Sequence, residues 1–484
     1  MDLSRALPPQ SLCHRCDPAD VPFESTAGAP AVEEFAGQGR AARSLDFAMG
    51  VAGDGYNAFV MGPEGIGRHC LVAATLARHA TAAPAPSDWV YVNNVASTSR
   101  PIAIELPAGR GAALRGDMKR LVAELRSAIP AILEGEEYAQ RVEKIDRAFA
   151  ERREEAVRGI GASAEAQGIA LLRTPVGYGF APTRDKEILD AEAFERLPEE
   201  ERARISAAMT ALQEQLEHAI REAIRGRKER AEQVRELDRQ TVMLALEPLV
   251  AELAQRHADL PRVVDFLHAV RDDVLQNAET FRGGAEGAAG GLPAAPFTRE
   301  LARYAVNLLV DREGPAASRV EYCDHPTSAN LVGRLEQVQH LGTLVTDFTL
   351  LKAGALHRAN GGYLVLDAMK LLSQPFAWEA LKRALTRREV RIETASELWG
   401  IASTVSLEAE PIALRVKVVL IGERRLYYLL QALDPDFARL FKVVADFEEI
   451  LERDPASQAW LARAVATLAR KAGLLPLDRG AVAR

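Results

Sequence analysis

Aromatic residues make up only 6% of the 484 positions, and the chain holds four cysteines. So few thiols in a chain this long cannot form the disulfide framework that stands in for a hydrophobic core in small secreted domains. A reduced, cytoplasmic protein is the expectation. Cys13 and Cys16 bracket His14 in a CxxC, but a zinc site needs four ligands, usually as two such pairs. Cys70 and Cys323 stand far away in sequence. The pair reads as incidental thiols, with a metal role as the alternative. No uninterrupted apolar run reaches the roughly 18 residues of a membrane span, and Met1–Phe23 lacks the apolar core of a signal peptide. Positive charge is not in excess either. Lys and Arg number 60 against 68 Asp and Glu, a net charge of −8. Nothing points to a nucleic-acid partner, which needs a concentrated basic surface.

What is present is ordinary for a globular chain: 48% hydrophobic and 26% charged residues, with length for about two to four domains. From Asn57 to Val95 the order reads strand, Gly-rich turn, helix, strand. Asn57–Gly62 is a short apolar strand, and Arg68–His79 is helical, with Leu71, Val72, Leu76 and Ala77 at helical spacing. Trp89–Val95 is a second apolar strand. This βαβ order predicts a parallel sheet.

The pattern then stops. From about Asp117 to Arg282 the text is charged and helical. Ile205, Met209, Leu212, Leu216 and Ile220 recur at steps of three and four, which gives one apolar stripe on a long helix. Glu136–Arg158 is similar. The region reads as a packed helical arm or as a solvated helical spacer. Inside it, Gly168–Pro182 carries β-type residues and Gly/Pro turns, which predict a small hairpin lobe. Gly283–Pro296 loses charge and gains Gly, Ala and Pro, as linkers do. Apolar runs of buried-strand type return at Tyr363–Asp367, Val416–Gly422 and Val443–Phe447.

The predicted fold is therefore α/β: a P-loop parallel-sheet core interrupted by a long helical insertion, with the start of a small helical lid. Its segments are an N-terminal stretch (1–34), the first half of the core (35–116), the helical insertion (117–282, with the β lobe near 168–183), a linker (283–296), the second half of the core (297–450) and the lid (451–484).

The most chemical segment is Gly62-Pro63-Glu64-Gly65-Ile66-Gly67-Arg68-His69. A P-loop reads GxxxxGK followed by Ser or Thr, and the glycines here are in register. Backbone N–H groups of such a turn and the following helix N-terminus form a phosphate cradle. Gly62, Pro63, Gly65, Gly67, Arg68 and His69 are the candidate nucleotide-binding residues. Arg68 keeps the lysine's charge in a larger, forked group. His69 stands where a hydroxyl would hold Mg²⁺, an ion that prefers hard oxygen ligands. Phosphate binding could survive these changes better than metal-assisted hydrolysis; a tight Gly turn without ligand is the other reading. Asp367 ends an apolar strand and is the candidate Mg²⁺ residue, as in a Walker B segment. The next residue is Ala368, which cannot accept a proton.

Further text narrows the reading. Gly354-Ala355-Leu356-His357-Arg358-Ala359-Asn360-Gly361-Gly362 runs directly into the Asp367 strand. Asn330–Arg334 precedes it, Gln374–Leu385 follows it, and Gly37–Ala41 lies far upstream. Together these resemble the Lon-related AAA+ family in which a helical arm splits the ATPase domain. The resemblance implies ATP as ligand, a ring of identical subunits (a hexamer), protein substrates fed to a protease chamber, and a Ser–Lys protease domain after the lid. No Pro-x-Asp-Gly-x-Ser run occurs in these 484 positions, so either the chain is expected to be a fragment or the protein lost or never had the protease. The resemblance places a polar sensor near Glu423, after the strand Val418–Gly422. It puts an arginine finger at Arg439 or Lys442, an adenine-bordering segment at Gly37–Ala41, and a pore-facing loop near Leu341–Phe348. Glu423, Arg439 and Lys442 also fit plain surface charge, and the loop fits a packed hairpin. Arg68, His69, Ala368 and Glu423 together predict weak or absent hydrolysis. A non-hydrolysing ring scaffold and a ligand-free coiled-coil adaptor are the competing functions.

Overall fold

The computed structural model describes residues 8, 15–32, 37–82, 85–174, 177–184, 187–189, 191–282, 300–312, 320–340, 343–393 and 407–484. Cys13, His14 and the linker 283–296 fall outside them. The chain divides into two compact units, 1–116 with 305–484, and 117–304.

The first unit is built on a five-stranded parallel sheet. Its strands are β1 (Ala58–Met61), β8 (Val320–Cys323), β13 (Tyr363–Asp367), β16 (Lys417–Gly422) and β17 (Val443–Asp446), in the spatial order β17-β1-β16-β13-β8. The inner strands are near-continuous apolar runs because both faces are covered, and successive side chains serve opposite faces. Phe59, Met61, Leu364, Leu366, Val418 and Leu420 point into one core. Helices α10 (Ala355–Arg358), α11 (Ala368–Leu372) and α12 (Ala377–Arg387) help to close it. Ala58, Val60, Val365, Val419, Ile421 and Ala445 point into the other, against α1 (Gly39–Gly50) and α2 (Arg68–Ala82).

The second strand of the expected βαβ unit is not in this sheet. β2 (Asp88–Val92) pairs antiparallel with β3 (Ile102–Leu106) and β7 (Val306–Val310) in a separate three-stranded sheet. An apolar run such as Trp89-Val90-Tyr91-Val92 suits any fully buried strand, parallel or antiparallel. Here β3, ten residues downstream, offers antiparallel edge groups at much less loop closure than the distant β13. Shorter pairs complete the unit: β9 (Arg334–Leu335) with β12 (Leu351–Lys352), β10 (Val338–His340) with β11 (Thr343–Val345), and β14 (Glu389–Val390) with β15 (Ile412–Ala413). The helix Pro455–Lys471 buries Ala462, Ala466 and Ala469. The N-terminal stretch is tied to it and to the segment after it. Val32 N–H donates to Thr467 Oγ1, Thr26 N–H to the Leu477 carbonyl, and Arg479 pairs with Glu24.

In the second unit α4 (Glu136–Glu165) runs antiparallel to α6 (Glu199–Arg256), which at 58 residues is about 87 Å long. Arg230–Asp146 and Arg152–Glu229 bridge the two outside. The stripe read from the sequence is buried at Ile205, Leu212 and Leu216 but lapses at Ile220, which is 49% exposed. The expected lobe is a three-stranded antiparallel sheet of β4 (Ile169–Thr174), β5 (Gly177–Arg184) and β6 (Glu187–Ile188). Ile169 packs with Ala164 and Leu212 beneath it. Buried Asp117 accepts hydrogen bonds from His257 and Arg256. Burial works against its charge, but bonds from His257 and Arg120 and the charge of Arg256 outweigh it and hold the carboxyl below its ordinary value. Among the described residues, no helix is long and apolar enough to cross a membrane.

Candidate functional site

The parallel order brings the carboxyl ends of β1, β16 and β13 side by side. Met61 is level with Gly422, and Ile421 with Asp367. The Gly62–Gly67 turn and the acid-tipped strand thus belong to one sheet edge, separated by a single strand. This is where open α/β sheets bind ligands.

Gly65 and Gly67 have φ of +77° and +90°, which L-residues with a side chain rarely adopt. The turn delivers the chain into α2 at Arg68. Arg68 is buried, and its guanidinium donates to the Gly422 carbonyl at 2.5 Å. It ties the turn to the tip of β16. His69 and Pro63 are both exposed. Asp367 is half-buried, and its Oδ1 accepts the Lys370 N–H at 2.8 Å, capping α11. Ala368 is fully buried, its methyl packed so closely that a Cβ on Gly422 would come within 3.1 Å of it. Glu423 is exposed at the N-cap of the helix Arg424–Leu433.

Arg439 and Lys442, where a finger supplied to a neighbouring subunit was expected, lie away from this edge. They lie before β17, whose first residue pairs with Ala58 at the start of β1. One strand length, roughly 13 Å, separates them from Gly62. Arg439 is bound to Asp436 and Thr386, and the Lys442 ammonium to the Asp54 carbonyl, 4.8 Å from the Tyr56 ring centre. The Leu341–Phe348 segment carries β11, while Leu341 itself lies outside the described residues. Phe348 is buried and accepts from Asn307 through its carbonyl, so it packs rather than projects.

Sequence reasoning missed the charges beside the turn. Asp446, level with Met61, pairs with Arg40 and Arg424, and Arg40 also reaches Glu448. Asp446 tips an apolar strand just as Asp367 does, which was the available signal. Gln38 lies in the Gly37–Ala41 segment singled out from the sequence, but its binding partner could not be read there. Its buried carboxamide donates to the Glu448 carbonyl and accepts the Glu448 N–H.

The run before β13 is a bracket. Gly354 N–H donates to His357 Nδ1, Arg358 pairs with Glu321, and Asn360 donates to the Ala413 carbonyl and accepts the Arg415 N–H. His357 is fully buried. Burial, helped by the charge of Arg358, pushes its pKa down from 6.5 to about 3. The unfolded chain therefore binds a proton below pH 6.5 that the folded chain refuses. Stability from this site is full above that pH and falls as pH drops toward 3, by at most about 1.4 kcal/mol per unit. Replacing His357 by Asn, whose Oδ1 can accept from Gly354, should flatten that slope in urea melts at successive pH values. An unchanged slope would rule the imidazole out.

Residues 316–448, which carry β8, β13, β16 and β17, match the LonB-like AAA domain family. Residues 88–121 match the Lon-like LonC helical domain family. Together with the relative below, these matches support a Lon-related family for the chain. A putative Lon protease homolog of Escherichia coli (strain K12) is 32% identical over 106 residues, 22% of this chain and 17% of that protein. The chain thus spans less than a fifth of this curated relative. A crystal structure of NtrX from Brucella abortus matches 32% of this chain and 33% of its own at 18% identity, with a TM-score of 0.21; that likeness is too slight to use. An AAA domain implies nucleotide binding in general; the glycine turn lies outside the matched residues 316–448. Among the described residues no group of three or more His, Cys, Asp or Glu could hold a metal ion.

Proposed function

We propose that this chain is the AAA-type module of a Lon-like proteolytic machine, and that it binds ATP without turning it over. The observation that carries this is the tip of β13. Asp367 spends one carboxylate oxygen capping α11, and the residue after it is a buried methyl. In-line phosphoryl transfer needs a positioned metal and a group to orient water. Asp367 could hold Mg²⁺ only through its remaining coordination capacity, with His69 in place of a hydroxyl. The glycine turn still supplies backbone donors for phosphate. On this reading the module assembles as a ring, a hexamer in the family it resembles, in the cytoplasm. It handles protein substrates for a Ser–Lys protease domain of the same machine.

A second reading is favoured by the Arg68–Gly422 bond, because a guanidinium already committed to a carbonyl is less available to phosphate. The module is then a ligand-free scaffold. Titration with a fluorescent ATP analogue, paired with phosphate release, separates the two. Saturable binding with no release is the expected result. Absence of binding supports the scaffold. Magnesium-dependent turnover near about one per second would overturn both, since that is within the range of working enzymes.

A further inference from the structure

A second concave site lies away from the glycine turn, between α12 and the strand that follows it. Ala380, Arg383, Ala384 and Arg387 share one face of α12, at the spacing that places helical residues together. Arg388 then takes φ of +54° and turns the chain back. Glu389, Arg391 and Glu393 come from alternate positions, while Val390 and Ile392 between them are buried. The two periodicities converge on a half-open pocket. Val332, Ala380 and Ala384 give it an apolar floor.

Its rim is charged unevenly. Arg383 is paired with Glu393 at 2.7 Å. Arg387 and Arg391 are exposed and, among the described residues, have no ion pair and no hydrogen bond, not even with Glu389 beside them. Two forked guanidinium groups over a floor of methyl groups suit a planar anion carried on a small apolar stem. Glu389 disfavours a doubly charged phosphate more than a singly charged carboxylate. We propose that this pocket binds an acidic side chain, Glu or Asp, of an extended polypeptide, its carboxylate held by Arg387 and Arg391. The proposal does not depend on nucleotide binding at the glycine turn.

The test uses the full chain without nucleotide and a short fluorescein-labelled peptide of alternating Glu and Ala with an amidated C-terminus, followed by anisotropy. Binding that weakens with added salt is expected. The same peptide with Gln for Glu should bind at least about tenfold more weakly, because charged hydrogen bonds are lost. Both arginines are exposed, so R387A, R391A and the double charge reversal R387E/R391E should melt like the native chain. The double reversal should abolish binding of the Glu peptide. Equal binding of the Glu and Gln peptides, or native affinity in the folded double reversal, would overturn the proposal. So would tight binding of the Gln peptide once its C-terminal carboxylate is free, since that would put a chain end in the pocket.

Discussion

Gly354→Ala is expected to destabilise the sheet-bearing unit by about 3 kcal/mol or more, near the upper end for overpacking. Gly354 has φ of −91°, which alanine adopts without strain. The cost is purely one of space. A Cβ there would sit 2.2 Å from the Leu331 carbonyl oxygen and 2.3 Å from the Gly333 nitrogen. Both are backbone atoms, fixed by α9 (Ser328–Val332) and its last turn, and cannot swing aside as a side chain could. Shifting them would also disturb the Gly354 N–H to His357 bond and so the bracket that aims β13. All four tryptophans lie in the first unit by number, so their fluorescence in a urea melt reports it. A midpoint within experimental error of the native one would mean that α9 and the Gly354 segment are not in contact as described.

Phe437→Ala should be comparably damaging, by about 3–5 kcal/mol, the range for emptying a buried aromatic site. Phe437 is 1% exposed. Its ring meets Phe59 at 5.9 Å, Tyr427 at 5.6 Å, Phe441 at 5.4 Å and Trp378 at 6.3 Å. Edge-on, tilted and stacked contacts of this kind add to the burial itself. No single neighbour can collapse into the vacancy. Trp378 is held by its Nε1–H bond to Asp434, and Phe59 is built into β1. Phe437→Leu keeps most of the volume and should cost about 1.5 kcal/mol or less, as volume-conserving swaps do. The difference between the two, read as melting temperature and as a red shift of tryptophan emission, checks the packing. Equal, small effects would contradict a filled five-ring cluster. The short helix bearing Phe437 also carries Arg439 and leads to Lys442, so loosening it would release both cations from their present partners.

Much of the core was legible because its signals are local. A parallel strand buried on both faces must be apolar throughout, and Tyr363–Asp367, Val416–Gly422 and Val443–Phe447 read that way before their pairing was known. The glycine turn carries its own backbone signature. The helical stripe at Ile205–Leu216 shows itself at a period of about 3.6. β2 misled because an apolar run states burial and not partner. The five-ring cluster gave no warning in a chain poor in aromatics, since its members come from β1, α12 and the segment between β16 and β17.

The sequence alone settled that a strand, glycine turn and helix would form near residue 60, that an acid would tip a buried strand at residue 367, and that a long charged helix would stand between them. Each follows from spacing within a few turns of chain. Only the tertiary structure decided what those residues are bound to. Arg68 holds a carbonyl 354 positions away, and Gln38 clasps a backbone 410 positions away. Asp367 caps the helix that follows its own strand. Such assignments depend on which strand lies beside which, and pairing between distant segments leaves no periodic trace in either one.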